Sequence, residues 1–242
     1  VWSMSGFTGA LFGYLMMNLR LTPHQHFFVV AGLVFTIALT ARPYLVSGSS
    51  QPAEKRKFFS RPEGVLVKLG LIAFCSMFAE GMMFEWSGVY FKEMVKVPAG
   101  LVLLGYNTFM IMMATGRFAG DRIIASIGRK RMLQISGLLV FTGLMIASIF
   151  PYIITATLGF LIVGAGVSSV IPTIYSTAVR SARLAPGMAL AGVSSIGFLG
   201  FLLGPPLIGY IAQVSSLQYS FGIVAFFGLF VSIMVTRLKV MD

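Results

Sequence analysis

Residues 186–212, PGMALAGVSSIGFLGFLLGPPLIGYIA, run without a single charged side chain. That is long enough to span a bilayer as a helix, which takes about 20 residues. Within the run, Ser194, Gly197, Phe198, Gly200 and Gly204 spell S-x-x-G-F-x-G-x-x-x-G. The same pattern opens the chain at Ser3, Gly6, Phe7, Gly9 and Gly13. Gly200 and Gly204, like Gly9 and Gly13, stand one turn apart on one helix face. Small residues so placed let two helix backbones come close where lipid supplies no hydrophobic drive between helices. One helix type therefore occurs twice, which is the mark of an internal repeat. Four apolar segments separate a polar linker from the second copy, whereas none precedes the first. The repeat unit is thus expected to be six helices long, with about four helices, on the order of 130–150 residues, preceding Val1.

The rest of the chain agrees with a bilayer setting. Of its 242 residues 57% are hydrophobic and 10% charged, and the mean hydropathy is +0.90, too little polarity to cover a water-soluble core of this size. Segments of spanning length fall at roughly 1–19, 26–46, 65–91, 99–118, 132–150, 152–178, 186–212 and 217–236, eight in all. The first lacks a preceding basic region and a small-residue cleavage site, so it does not read as a signal peptide. The expected fold is an all-α membrane protein of eight transmembrane helices.

Lys and Arg fall almost entirely in one set of alternate loops: Arg42 to Lys68, Arg117 to Arg131, Arg180 with Arg183, and Arg237 with Lys239. The opposite set holds Arg20, Lys92 and Lys96. Cytoplasmic loops keep such an excess, which places both ends of the chain in the cytoplasm of a cell membrane, in bacteria the inner one. The net charge of +11 is spread over these short loops and forms no concentrated basic face, which excludes nucleic acid as a partner. The polar interruption at 47–63, SGSSQPAEKRKFFSRPE, is a cytoplasmic linker between residues 1–46 and a six-helix unit at 64–242.

No metal or cofactor site is expected. Cys75 is alone in an apolar helix, and His24 and His26 have neither Cys nor carboxylate company. Phosphate loops, metalloprotease patterns and nucleophile elbows are absent from the sequence, so it reads as no enzyme.

After the fourth segment the chain reads GRFAGDRIIASIGRKR, from Gly116 to Arg131. Gly116, Arg117, Asp121, Arg122, Gly128, Arg129, Lys130 and Arg131 resemble the G-x-x-x-D-R-x-G-R-R signature of the major facilitator superfamily. Counting back from Gly128, Ala125 stands where the family has its acid, and Asp121 lies one turn earlier on the same face. The resemblance implies that Asp121 is a conformational switch, meeting the start of the helix that begins at Val1 when the cytoplasmic side closes. Three further stretches narrow it: Glu80-Gly81-x-x-x-Glu85-Trp86-Ser87-x-x-Tyr90, Gly164-x-Gly166-x-Ser168-x-x-x-Pro172, and the glycines from Gly197 to Gly209 around Pro205 and Pro206. These are similar to the bacterial fucose-permease-like branch. The implied whole is a twelve-helix transporter of which this chain is the last eight helices, working by alternating access on a small-molecule substrate and needing its missing N-terminal helices.

Polar side chains inside apolar helices mark where a cavity must be, since in lipid they have nothing to bond. The expected lining is Glu85, Trp86, Ser87 and Tyr90 on the third segment, Tyr106 and Asn107 on the fourth, and Ser168, Ser169, Thr173 and Ser176 on the sixth. Glu80 lies about 11 residues, roughly 17 Å, into an apolar core of about 30 Å, while Glu85 reaches its outer boundary. This mid-membrane acid is the expected proton-coupling group. No Lys or Arg is expected at its depth within the chain, which would leave its basic partner in the missing half. The function so implied is proton-coupled movement of a small polar solute, sugar first. A multidrug or other proton antiporter and a membrane ligand sensor are the alternatives.

Overall fold

The computed structural model describes residues 9, 12, 15, 16, 19, 21–44, 64–181 and 184–238. All regular structure among them is helical. Gly6 and Gly13, the linker at 47–63 and the expected Asp121 contact near Val1 lie outside the described residues. The chain divides into two compact units, Val1–Arg61 and Pro62–Asp242.

In the first unit, α1 (Pro23–Ala41) starts with proline, whose missing N–H costs nothing in a first turn. Gln25 folds back so that its side-chain oxygen accepts from the Thr22 amide at 2.9 Å. Thr36 and Thr40 donate their hydroxyls to the carbonyls of Gly32 and Thr36, keeping these polar groups satisfied within the helix.

The second unit holds α2 (Gly64–Tyr90), α3 (Leu104–Ile127), α4 (Arg129–Ile149), α5 (Ile153–Ser168), α6 (Val170–Ser181), α7 (Pro186–Val214) and α8 (Leu217–Thr236). Because α5 and α6 form one span with a break, the described residues contain seven segments long and apolar enough to cross a bilayer. The break has a local cause. Pro172 has no amide to offer the Ser168 carbonyl four residues back, and the helix interrupts between Ser168 and Val170. Thr173 repairs the next position, its amide and its hydroxyl both donating to the Ser169 carbonyl.

The structure corrects the end of the fourth apolar segment. Residues 116–127 continue α3 and are not loop; the turn is confined to Gly128, whose φ of 82° a side chain would resist, and Arg129 begins α4. Arg117 therefore sits about ten residues, roughly 15 Å, inside its helix.

Helix α2 runs through the middle of the unit. It packs most extensively on α7 and also touches α3, α6 and α8, while α4 joins α5 to α8 and α5 joins α3. At the α2–α7 contact, Gly200 lies so close to the Phe74 carbonyl that any side chain would collide with it, and a Cβ at Gly204 would stand 3.0 Å from the Phe78 carbonyl. Pro205 leaves the Phe201 carbonyl without its helical donor, and Gly81 of α2 comes up against that oxygen. Trp86 ties the pair further, donating its indole N–H to the Pro205 carbonyl at 3.0 Å. Two apolar cores occupy the two ends of α2: one around Leu66, Leu69, Ile72, Leu133 and Ile174, the other around Phe78, Met83, Phe109, Phe160 and Phe221.

Candidate functional site

Glu80 is buried on α2, and its carboxylate oxygen Oε1 lies 3.5 Å from Nη2 of Arg117 on α3. The side chains are 6% and 21% exposed, so the pair is shielded but reachable from one side. The same Nη2 approaches Met113 Sδ at 3.7 Å, and Arg117 Nε is buried with no partner. This overturns the expectation that no base stands at the depth of Glu80. Because the charges of 117–122 read as loop in the sequence, Arg117 looked peripheral, whereas the continuation of α3 carries it inward.

One cavity lies beyond the pair toward the Gly128 end. It measures about 230 Å³ and is lined by Arg117, Asp121, Arg129, Ser168, Ser169, Thr173, Ser176 and Arg180, among others. Two sets of residues that the sequence assigned to different tasks, the switch motif and the substrate lining, thus share one space. They meet because Gly116 and Gly120 present no side chain: a Cβ on Gly116 would collide with Ser168 Oγ, and one on Gly120 would stand 2.6 Å from Ser169 Oγ. The pairing of Gly116 with Gly120 was missed in the sequence, although their small-residue spacing is the signal that could have shown this close approach. Most hydroxyls here are spent locally: Ser168 donates to Ala165, Thr173 to Ser169 and Ser176 to Thr173, at 2.7, 2.6 and 3.0 Å. Arg180 was missed as a lining residue because in the sequence it counted only toward loop charge.

A second cavity lies toward the opposite end of α2 and α3. It measures about 280 Å³, and Phe84, Glu85, Ser87, Lys92 and Tyr106 are among its lining. Ser87 is fully buried and its Oγ has no partner. Lys92 pairs at 3.5 Å with Glu93. Phe84 joins this cavity to the core through edge contacts with Phe109 and Phe201, at 5.9 Å each.

Three expected lining residues lie elsewhere. Tyr90 is fully buried, its ring tilted against Phe221 at a centroid distance of 4.5 Å, and its hydroxyl donates to the Ala147 carbonyl at 2.6 Å. It is a core residue, held by an aromatic cluster that the sequence could not show. Trp86 is occupied with Pro205, and Asn107 is exposed outside both cavities.

Bilayer-length helices with a buried ionisable pair within them define a polytopic α-helical membrane protein. The chain belongs to the Major Facilitator Superfamily, whose family description matches residues 1–186. It is 33% identical over 225 residues to an uncharacterised MFS-type transporter of Yersinia pestis, covering 93% of this chain and 58% of that protein. It is also similar to an uncharacterised transporter of Sinorhizobium fredii, 27% identical over 99% of this chain and 64% of that one. The chain thus spans less than two thirds of the length of these relatives. Among solved structures, its fold is like that of the E. coli fucose:proton symporter FucP (TM-score 0.70, 16% identity, 96% of this chain and 64% of that one). It is also like the peptide transporter POT with bound alafosfalin (TM-score 0.67, 16% identity, 77% and 40%).

Proposed function

We propose that this chain supplies part of a secondary active transporter that moves a small polar solute by alternating access, with sugar as the first solute class and the proton as coupling ion. The reading rests above all on the Glu80–Arg117 pair. An intramembrane carboxylate facing one guanidinium has two neutralising options, its partner or a proton, and a cycle that parts the pair exchanges one for the other. The cavity at Glu85, Ser87 and Tyr106 is assigned to the solute path, because an unpartnered buried hydroxyl beside a carboxylate and a phenol suits a hydroxyl-rich ligand. Likeness to a fucose:proton symporter supports the same direction. The switch role of Asp121 belongs to this proposal, as does a bacterial inner-membrane setting with the Gly128 turn on the cytoplasmic side, which follows from the loop charges.

The test uses the full natural protein in vesicles, with labelled sugars and an imposed proton gradient. Glu80→Gln keeps shape and hydrogen bonding but cannot release a proton. Gradient-driven accumulation is expected to vanish in this variant while equilibrium exchange survives; pH-dependent accumulation at the unaltered level would remove Glu80 from coupling. Extrusion of apolar cations with no sugar uptake would favour the antiporter.

A further inference from the structure

Apart from the two cavities above, a small gap lies where α2, α4 and α8 meet. Cys75 and Ser76 of α2, Ser136 and Gly137 of α4, and Phe227 and Gly228 of α8 are among its lining. We infer that this gap is a binding site for one ordered water, held between the hydroxyls of Ser76 and Ser136. All its lining residues come from the second unit. Ser76 and Ser136 are 4% and 1% exposed, so both hydroxyls are cut off from lipid and from bulk solvent by that unit alone.

The gap has a cause in the sequence. Gly137 and Gly228 let the backbones of α4 and α8 touch, since a side chain on either would strike the other's carbonyl. The same two glycines leave no side chain to fill the corner that faces α2. Hydroxyls inside these helices usually donate to the carbonyl four residues back, as Thr115, Thr142 and Ser195 do at 2.8, 2.9 and 2.8 Å. Ser76 and Ser136 do not: both are buried, and neither Oγ has a hydrogen-bond partner among the described residues. A buried hydroxyl left so is costly, and two of them on one gap call for a shared partner that can both donate and accept. Water is such a partner. The centre of a water-sized sphere has about 10 Å³ to occupy here, against the roughly 10–15 Å³ that one water needs. A larger solute has no room, and a dry void of this kind would be lined by apolar groups only. The Cys75 thiol adds a weak third partner on the same wall.

The experiment unfolds the full natural protein in mixed micelles and compares Ser76→Ala, Ser136→Ala and the double variant. Each single change strands the other hydroxyl and is expected to raise the unfolding constant about tenfold. The double change removes the stranded group as well, so it is expected to stay near the effect of one change and not reach the roughly hundredfold of two independent losses. The second measurement is a structure of the unaltered full protein at a resolution that shows ordered water, which needs no variant to fold. It is expected to hold one oxygen about 2.5–3.0 Å from both Oγ atoms. The proposal is overturned if each hydroxyl is found turned to the carbonyl four residues back with nothing between them, if the single variants unfold as the unaltered protein does, or if their effects multiply in the double variant.

Discussion

Arg117 reaches across from α3 to place its Nη2 3.5 Å from Glu80 Oε1 on α2, at the cavity that Arg117 lines together with Asp121. Removing one member of a buried pair leaves the other charged and uncompensated, which costs about 3–5 kcal/mol in the fully buried case. Arg117 keeps 21% exposure, so solvent softens that cost. Arg117→Met is expected to destabilise by about 2–3 kcal/mol in thermal or denaturant unfolding. Adding Glu80→Leu is expected to recover most of the loss, because the stranded charge goes too. A double variant as unstable as Arg117→Met would show that packing, not charge, is what Arg117 contributes.

The α2–α7 contact gives a graded prediction. In lipid, apolar burial adds little to helix association and close packing carries it. A methyl at Gly200 meets the Phe74 carbonyl, which is backbone and cannot swing aside, whereas at Gly204 it meets the Phe78 carbonyl at 3.0 Å and needs a shift of only tenths of an ångström. Gly200→Ala is therefore expected to cost about 1–3 kcal/mol and Gly204→Ala less than about 1 kcal/mol. Unfolding of the two variants side by side checks the order.

Composition made the seven spans from His24 to Thr236 readable, and the small-residue spacing at Gly200 and Gly204 pointed to a packing face. What stayed hidden depended on side-chain partners far apart in sequence. Charged residues at 117, 121 and 122 carry the polarity of a loop, and only the continuation of α3 shows that Arg117 is drawn in by Glu80. Tyr90 has the composition of a cavity residue, and nothing local reveals that Ala147 and Phe221 claim it. At Pro172 the sequence held the cause of the helix break, but proline inside a membrane helix is also compatible with a mere bend.

Gly128 makes the turn between α3 and α4 with φ 82° and ψ 159°, a region reserved for glycine. Nothing stands within 4 Å of a Cβ there, so the penalty of a side chain is purely one of backbone. Gly128→Ala is expected to cost about 1–3 kcal/mol. Gly128→Asn is expected to cost about as much, since asparagine's tolerance is for the left-handed helical region near ψ 47° and not for this extended ψ. An asparagine variant as stable as the unaltered protein would show that the turn readily adopts another geometry.

Tyr90 separates a core role from a ligand role. Its hydroxyl donates to the Ala147 carbonyl in a fully buried setting, so Tyr90→Phe keeps the ring contacts with Phe160 and Phe221 while removing one donor. The lost hydrogen bond and the carbonyl left behind are expected to cost about 1–2 kcal/mol. Tyr90→Ala also opens a void in the aromatic cluster and is expected to cost about 3–5 kcal/mol, the range for large-to-small aromatic changes in a core. A residue lining the solute path would behave in the opposite way, with little change in unfolding and a large one in uptake. The decisive pair of measurements is thus unfolding and the half-saturating solute concentration in vesicles, made on Tyr90→Phe. Reduced stability at unchanged half-saturation is the expected result; unchanged stability with several-fold weaker saturation would return Tyr90 to the cavity wall.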